Sequence, residues 1–365
     1  MNSAADWNWP FQCEGCARAY PSSGFHYRCQ HCGSPFGLLD DALVEEINSI
    51  GIDRNRATFP LPPQAEFISL GEGNTALVPE EIKQRQIFFK CEHFNPTGSF
   101  KDRGTALLVS VLKFMDFHQA IEDSSGNAGA SFAAYAAAAG IRAKIFIPAY
   151  ASGLKRKQIE AYGACVVPIK GRRSAATKAA HLAIEGGEPY ASHAHLPHVH
   201  AGLASIAFEL LDDLGAAPGA IILPVGQGTL LLGLDYGFRW LRRHGKIKQL
   251  PRLIAVQAQA CAPLWDSLND ETEATQRIEG ITIAEGIRIS HPIREHKIVA
   301  AIQHSKGEVV AVDEQGIKAG RDALGARGFF VEPTSAVVWP AILETLPRLA
   351  DPVVAILTGS GFKSA

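Results

Sequence analysis

The sequence carries no surplus of charge of one sign. Lys and Arg number 35 against 37 for Asp and Glu, a formal net charge of -2, so composition favours neither nucleic acid nor an anionic membrane surface as a partner. Long apolar runs are missing too. The longest, residues 132–139, is rich in alanine and far below the roughly 20 residues that cross a bilayer. The opening MNSAADWNWP has neither a basic start nor an apolar stretch and is not expected to be a secretory signal. Internal repeats and low-complexity tracts are also absent, which leaves an ordinary globular chain. With 365 residues, 47% of them hydrophobic, it is long enough for two domains and a small module.

Cysteine is present in a pattern that argues against disulfides. Four of the seven lie in two tight pairs, Cys13-x-x-Cys16 and Cys29-x-x-Cys32, the spacing of two knuckles that supply four thiolates to one tetrahedral zinc. Gly15 and Gly33 stand where the turns around each pair need a permissive backbone. Four cysteine ligands leave no open position, so the zinc is expected to be structural and the compartment a reducing cytoplasm. The ribbon offers only Arg18, Arg28, His26 and His31 as cations, too few to suggest a nucleic-acid surface.

The stretch FNPTGSFKDRG, residues 94–104, surrounds Lys101 with unusual company. Asn95, Pro96, Thr97 and Gly98 bend the backbone just before the lysine, and Asp102, Arg103 and Gly104 open an apolar segment that reads as a buried helix. Lys101 thus sits at a strand-to-helix junction, where a partly desolvated amine can serve as a nucleophile toward an aldehyde. A solvated lysine at a helix start is the plainer alternative. Before it come a short helix over 40–50, a proline-bearing linker over 53–64, a glycine-broken loop over 70–77 and a buried strand over 87–91. After it, apolar runs at 144–148, 165–169, 220–224, 253–257, 308–312 and 352–357 alternate with helical patterns, which predicts an α/β fold with parallel sheets.

Two loops sit where such a fold binds ligands. Gly226, Gln227, Gly228 and Thr229 follow the predicted strand 220–224 and open a helix, the geometry of backbone amides aimed at a phosphate. A dinucleotide fingerprint is excluded, because Leu231 stands at the third glycine position. Ser124, Ser125, Gly126 and Asn127 precede an alanine-rich helix whose amide end favours an anion, although an ordinary N-cap would read the same way.

The lysine stretch together with SSGNAG (124–129), PVGQGT (224–229), TIAEGI (282–287), VEPTSA (331–336) and LTGSGFK (357–363) resembles the fold-type-II pyridoxal-phosphate enzymes, most closely the threonine synthase branch. The resemblance runs from about residue 70 onward. It implies a tryptophan synthase β-like fold, two doubly wound α/β domains preceded by the small zinc ribbon. The expected domains are the ribbon over 1–40, a large cofactor-binding domain over 41–107 and 204–365, and a small domain over 108–203, with the cofactor between the last two. It further implies that Lys101 carries pyridoxal 5'-phosphate, that Gly226, Gln227, Gly228 and Thr229 hold its phosphate, and that Asn127 bonds its ring hydroxyl. Thr358 would meet the pyridine nitrogen. Ser124, Ser125 and Gly126 would hold the carboxylate of a small amino-acid substrate. Glu285 and Ser335 lie in motifs near the cofactor. A homodimer acting by elimination or replacement at the β or γ carbon is expected.

Two departures bear on the substrate. Ala128 follows Asn127 where threonine synthases usually carry threonine, and Val199 falls where they tend to carry an arginine. The segment SHAHLPHVHAG, residues 192–202, instead offers four histidines. They lack the carboxylates or cysteines a second metal site would want. His193 and His195 are the candidates to line the substrate pocket as anion contacts or acid–base groups. The substrate is then expected to be homoserine-, threonine- or serine-like, with or without an O-phosphate. A dehydratase-type ammonia-lyase or a phosphoserine-type β-replacement enzyme is the alternative, and an inactive ribbon-bearing binding protein is the non-enzyme alternative.

Overall fold

The computed structural model describes residues 7–40, 42–43, 59–124, 126–149, 153–171, 173–269 and 279–363. The expected helix over 40–50 and the first half of the 53–64 linker fall almost wholly outside the described residues, as does Ser125. In chain order the strands are β1 (Phe11–Cys13), β2 (Phe36–Leu38), β3 (Leu77–Ile82), β4 (Arg85–Lys90), β5 (Gln119–Glu122), β6 (Arg142–Pro148), β7 (Cys165–Ile169), β8 (Ala220–Pro224), β9 (Arg252–Ala258), β10 (Glu308–Val312) and β11 (Val353–Ile356). The chain divides into two compact units, Met1–Gly73 with Lys101–Leu203 and Asn74–Phe100 with Ala204–Ala365.

In the first unit β1 and β2 pair antiparallel as the ribbon, and β5, β6 and β7 form a parallel three-stranded sheet in that order. The helix Lys101–Phe114 packs against the helix Asn127–Ala139. Alanine at eight of the latter's positions lets the two approach closely, and Ser131 Oγ donates to Thr105 Oγ1 at 2.8 Å across the contact. Gly140, at φ 70°, ends the alanine helix in a left-handed cap.

The second unit is built on a six-stranded sheet, β10-β9-β8-β11-β4-β3. All neighbours are parallel except β3 against β4. Every residue of β8 and β11 is buried, which is why these strands read as unbroken apolar runs rather than alternating ones. Ile87, Phe89, Ile222, Ile254, Val353 and Ala355 form the sheet side of the core, covered by Val337, Val338 and Ile342. Because β8, β11 and β4 are adjacent and parallel, the loops after their carboxyl ends emerge from one edge of the sheet.

Strands expected at 165–169, 220–224 and 308–312 occur at those residues, and those at 144–148 and 253–257 are each longer by two. Strands β3 and β5 have no counterpart among the expected strands. Strand β3 carries Pro79, Glu80 and Glu81 because it is an antiparallel edge strand, where a missing amide and charged side chains are tolerated.

Candidate active site

In the second unit three loops gather at the carboxyl ends of β4, β8 and β11. After β8 the chain turns through Gly226, Gln227 and Gly228 into the helix Thr229–Arg243. Gly228 has φ 75°, and a Cβ there would lie 2.2 Å from Ile298 Cδ1. A Cβ on Gly226 would lie 3.0 Å from Ile287 Cα, so the TIAEGI turn packs directly on this loop. No side chain caps the helix. Its first-turn amides stay available to an anion, and the two glycines form a cradle that any side chain would fill. Gln227 differs from its neighbours in aim, since its Oε1 accepts from the Ile293 amide at 3.1 Å. Thr229, the first residue of the helix, is buried.

Past β11, Thr358 Oγ1 lies 3.0 Å from Ser335 Oγ, and both residues are buried. Ser335 also accepts from the Gly359 amide at 2.8 Å. It therefore orients the Thr358 hydroxyl rather than reaching outward. The same motif grips the loop ahead of the lysine. The amide of Phe100 donates to Thr358 O at 3.0 Å, that of Ser360 to Gly98 O at 2.9 Å, and Lys363 Nζ to Thr97 O at 2.7 Å. A Cβ on Gly98, at φ 85°, would meet Lys363 Cδ at 3.2 Å. Beneath the loop, Asn95 Nδ2 donates to Glu92 Oε2 at 2.8 Å and Thr75 Oγ1 to Glu92 Oε1 at 2.7 Å. Buried Lys90 pairs with Glu209 at 2.9 Å. Glu285 is exposed and joins none of this. The grip of Lys363 escaped the sequence reading, although the residue closes a motif already singled out.

In the first unit Lys101 opens its helix, at the end whose amides disfavour positive charge. Its Nζ lies 3.1 Å from His193 Nδ1. Burial holds His193 well below the usual imidazole range, and the charges of Lys101 and His200 act the same way. His195 and His198 have other surroundings. His195 Nδ1 lies 3.1 Å from Ser192 Oγ, with its ring among Tyr27 and Tyr190. His198 is enclosed by Trp9, Phe11, Tyr20 and Phe25. Val199 is fully buried, its Cγ1 2.7 Å from where a Cβ on Gly104 would be. Asn127 is the first residue of the alanine helix, which follows Gly126 without a side-chain cap. Ser124 Oγ accepts from the Gly126 amide at 3.2 Å.

In the ribbon, one Sγ from each of Cys13, Cys16, Cys29 and Cys32 lies within 4.8 Å of the other three. This is the only such cluster of three or more potential ligands among the described residues. The side chain and backbone of Ser34 hold the Cys32 thiol down to about 6, so a thiolate is available at neutral pH. Four converging soft ligands fit a tetrahedral zinc.

Residues 68–359 match the family described as pyridoxal-phosphate dependent enzymes. The chain belongs to that family. Among relatives, the threonine synthase of Synechocystis sp. is 33% identical over 322 residues, covering 86% of this chain and 82% of that one. The threonine synthase of Bacillus sp. is 34% identical over 327 residues, covering 86% and 90%. Among solved structures, a threonine deaminase of T.th. superposes with a TM-score of 0.67 at 27% identity, covering 78% of this chain and 92% of that one. As a pyridoxal-phosphate dependent family member, the chain has its cradle and its lysine inside the matched span. The cysteine quartet lies ahead of it.

Proposed function

We propose that the chain is a lyase of the threonine synthase type, catalysing elimination or replacement at the β or γ carbon of a homoserine-, threonine- or serine-like amino acid, with or without an O-phosphate. The observation that carries the reading is Lys101 itself. It begins a buried helix directly after a loop held by backbone hydrogen bonds to the Thr358 motif, inside a span matched by the family. Relatives named threonine synthase at 33% and 34% identity support the substrate class.

Pyridoxal phosphate, when bound, supplies an aldehyde for an amine and a ring that draws electrons from the substrate's α carbon. In this reading Gly226, Gln227, Gly228 and Thr229 surround the phosphate, with backbone amides and the helix end doing the binding. Asn127 orients the ring through its hydroxyl. The buried Thr358 hydroxyl, held by Ser335, would meet the ring nitrogen as an uncharged partner, which would weaken the electron sink and suit elimination over transamination. Ser124, Ser125 and Gly126 hold the substrate carboxylate at the uncapped end of the alanine helix. Lys101 takes the α proton on Nζ. His193 and His195 are assigned to the substrate side, His193 on the stronger support of its 3.1 Å approach to Lys101. Cys13, Cys16, Cys29 and Cys32 hold a structural zinc. The ribbon domain over 1–40, the large domain over 41–107 and 204–365 and the small domain over 108–203 remain the proposed division. The working form is a cytoplasmic homodimer with no nucleic-acid partner, and no helix among the described residues is long and apolar enough to cross a membrane.

Borohydride reduction of the purified protein with pyridoxal phosphate, followed by peptide mass analysis, tests the reading. A pyridoxyl label on the peptide bearing Lys101, lost in Lys101→Ala, is expected. A label elsewhere, or none, removes it. Product analysis then separates two outcomes: a new amino acid marks replacement, and a keto acid with ammonia marks a dehydratase. The second reading has one observation in its favour: a proton-exchanging imidazole rather than a permanent cation lies 3.1 Å from Lys101 Nζ, and a hydroxyl leaving group needs a proton where a phosphate does not.

A further inference from the structure

The approach of His193 to Lys101 is fixed from two sides. On one side the chain reaches His193 along the sheet edge: Ile121 bridges Tyr190 in parallel, and the Ala191 amide donates to Ile121 O at 2.8 Å. On the other, the lysine helix and the helix Pro197–Leu214 meet through glycines. A Cβ on Gly202 would lie 2.3 Å from Arg103 O, and one on Gly104 would lie 3.2 Å from Val199 Cα. Neither helix can slide without losing this contact, so the backbones that carry Lys101 and His193 are held at a fixed spacing that leaves Nζ and Nδ1 3.1 Å apart. His193 is 5% exposed, and the charged or titratable groups acting on it are Lys101 from the lysine helix and His200 from the helix that follows. Water has little access to carry protons to or from the imidazole. Two positive charges this close in a dry setting repel strongly, so an added proton resides on one partner of the pair at a time.

We propose that His193 is the proton partner of Lys101. When Lys101 must become a free amine, one Nζ–H bond breaks and one Nδ1–H bond forms, turning the imidazole into imidazolium and leaving every electron pair on its own nitrogen. The transfer reverses when Lys101 next needs a proton. This rests on the reading of Lys101 as the cofactor-bearing amine and goes beyond it. It gives His193 a role in the lysine's own chemistry before any substrate arrives.

The test is the rate at which the full chain, freed of cofactor, captures added pyridoxal phosphate, followed by absorbance and by the final extent of borohydride-fixed label on Lys101. His193→Gln keeps a polar side chain of similar reach but cannot relay a proton. It is expected to reach the same final extent of label about 100-fold more slowly, the lower end of what a positioned acid–base group contributes. In His193→Gly, added imidazole should restore the rate in proportion to its neutral form, which a merely structural role would not produce. Capture by His193→Gln within about twofold of the unsubstituted chain, or no response of His193→Gly to imidazole, overturns the proposal. Absence of label on Lys101 in the unsubstituted chain would instead remove the cofactor reading itself, so the two failures are distinct.

Discussion

His198 shows how much a single side chain can cost and still be kept. It is 1% exposed, neither ring nitrogen has a hydrogen-bond partner, and burial pushes it down to about 3. Aromatic rings of the ribbon supply its contacts, with Phe11 at 4.5 Å and Phe25 stacked at 5.8 Å. A buried polar group without a partner costs about 1–3 kcal/mol, so His198→Phe, of similar shape, should match or exceed the original stability by up to that amount. The pH dependence has a definite sign. The folded-state value lies below the ordinary 6.5, so on acidification the unfolded chain takes up the proton first. Stability is fully present above 6.5 and falls by up to about 1.4 kcal/mol per pH unit toward 3. Urea midpoints at neutral pH and near pH 4 measure both effects. The variant should lose part of the acid sensitivity, and equal acid slopes in the two proteins would contradict the account.

At the level of elements, most of what positions the site could be read from residue order, and the exceptions have physical causes. Strands β7, β8 and β10 were legible because each is a short apolar or β-branched run between turn residues. Strand β5, QAIE, was not, since four residues with polar ends carry no period. Lys101 at a helix start was legible from the turn formers before it, as was the glycine cradle from its place after β8. The histidine spacing told little about where each ring goes. The helix begins at Pro197, and His193 beside Lys101, His195 beside Ser192 and His198 against Phe11 have separate surroundings. Nor could any local pattern announce that Gly104 and Gly202 meet, because they are far apart in sequence and neither needs an unusual backbone angle. That crossing carries a prediction. Gly202→Ala places a Cβ 2.3 Å from Arg103 O, and overpacking of this kind costs about 1–3 kcal/mol. The variant should melt earlier and, at a temperature where it is still folded, give less pyridoxyl label on Lys101. Lower stability with undiminished label would mean that the crossing supports the helix but not the amine.

For the whole molecule, the proposed residues fall into two groups on two compact units. Lys101, Asn127, the serine turn and the histidines belong to the first, and the glycine cradle, Thr358 and Ser335 to the second. Each group is incomplete as chemistry: one has an amine and no phosphate cradle, the other a cradle and no amine. A ligand that engages both must stabilise both. One that binds the folded chain alone adds about 2.7 kcal/mol at 100 times its dissociation constant, which slows exchange through the coupled opening by about 100-fold. Hydrogen exchange read by mass spectrometry is the direct measure, with pyridoxal phosphate titrated into the full, cofactor-free chain. Peptides covering residues 225–232 of the second unit and 127–133 of the first should gain protection over the same concentration range, and the first turn of the Lys101 helix should follow them. Lys101→Ala should weaken binding, yet still protect both regions at a higher concentration, because the amides rather than the amine hold the phosphate. Protection confined to the second unit would show a phosphate site without an active site, and the assignment of Asn127 and the serine turn would fall with it.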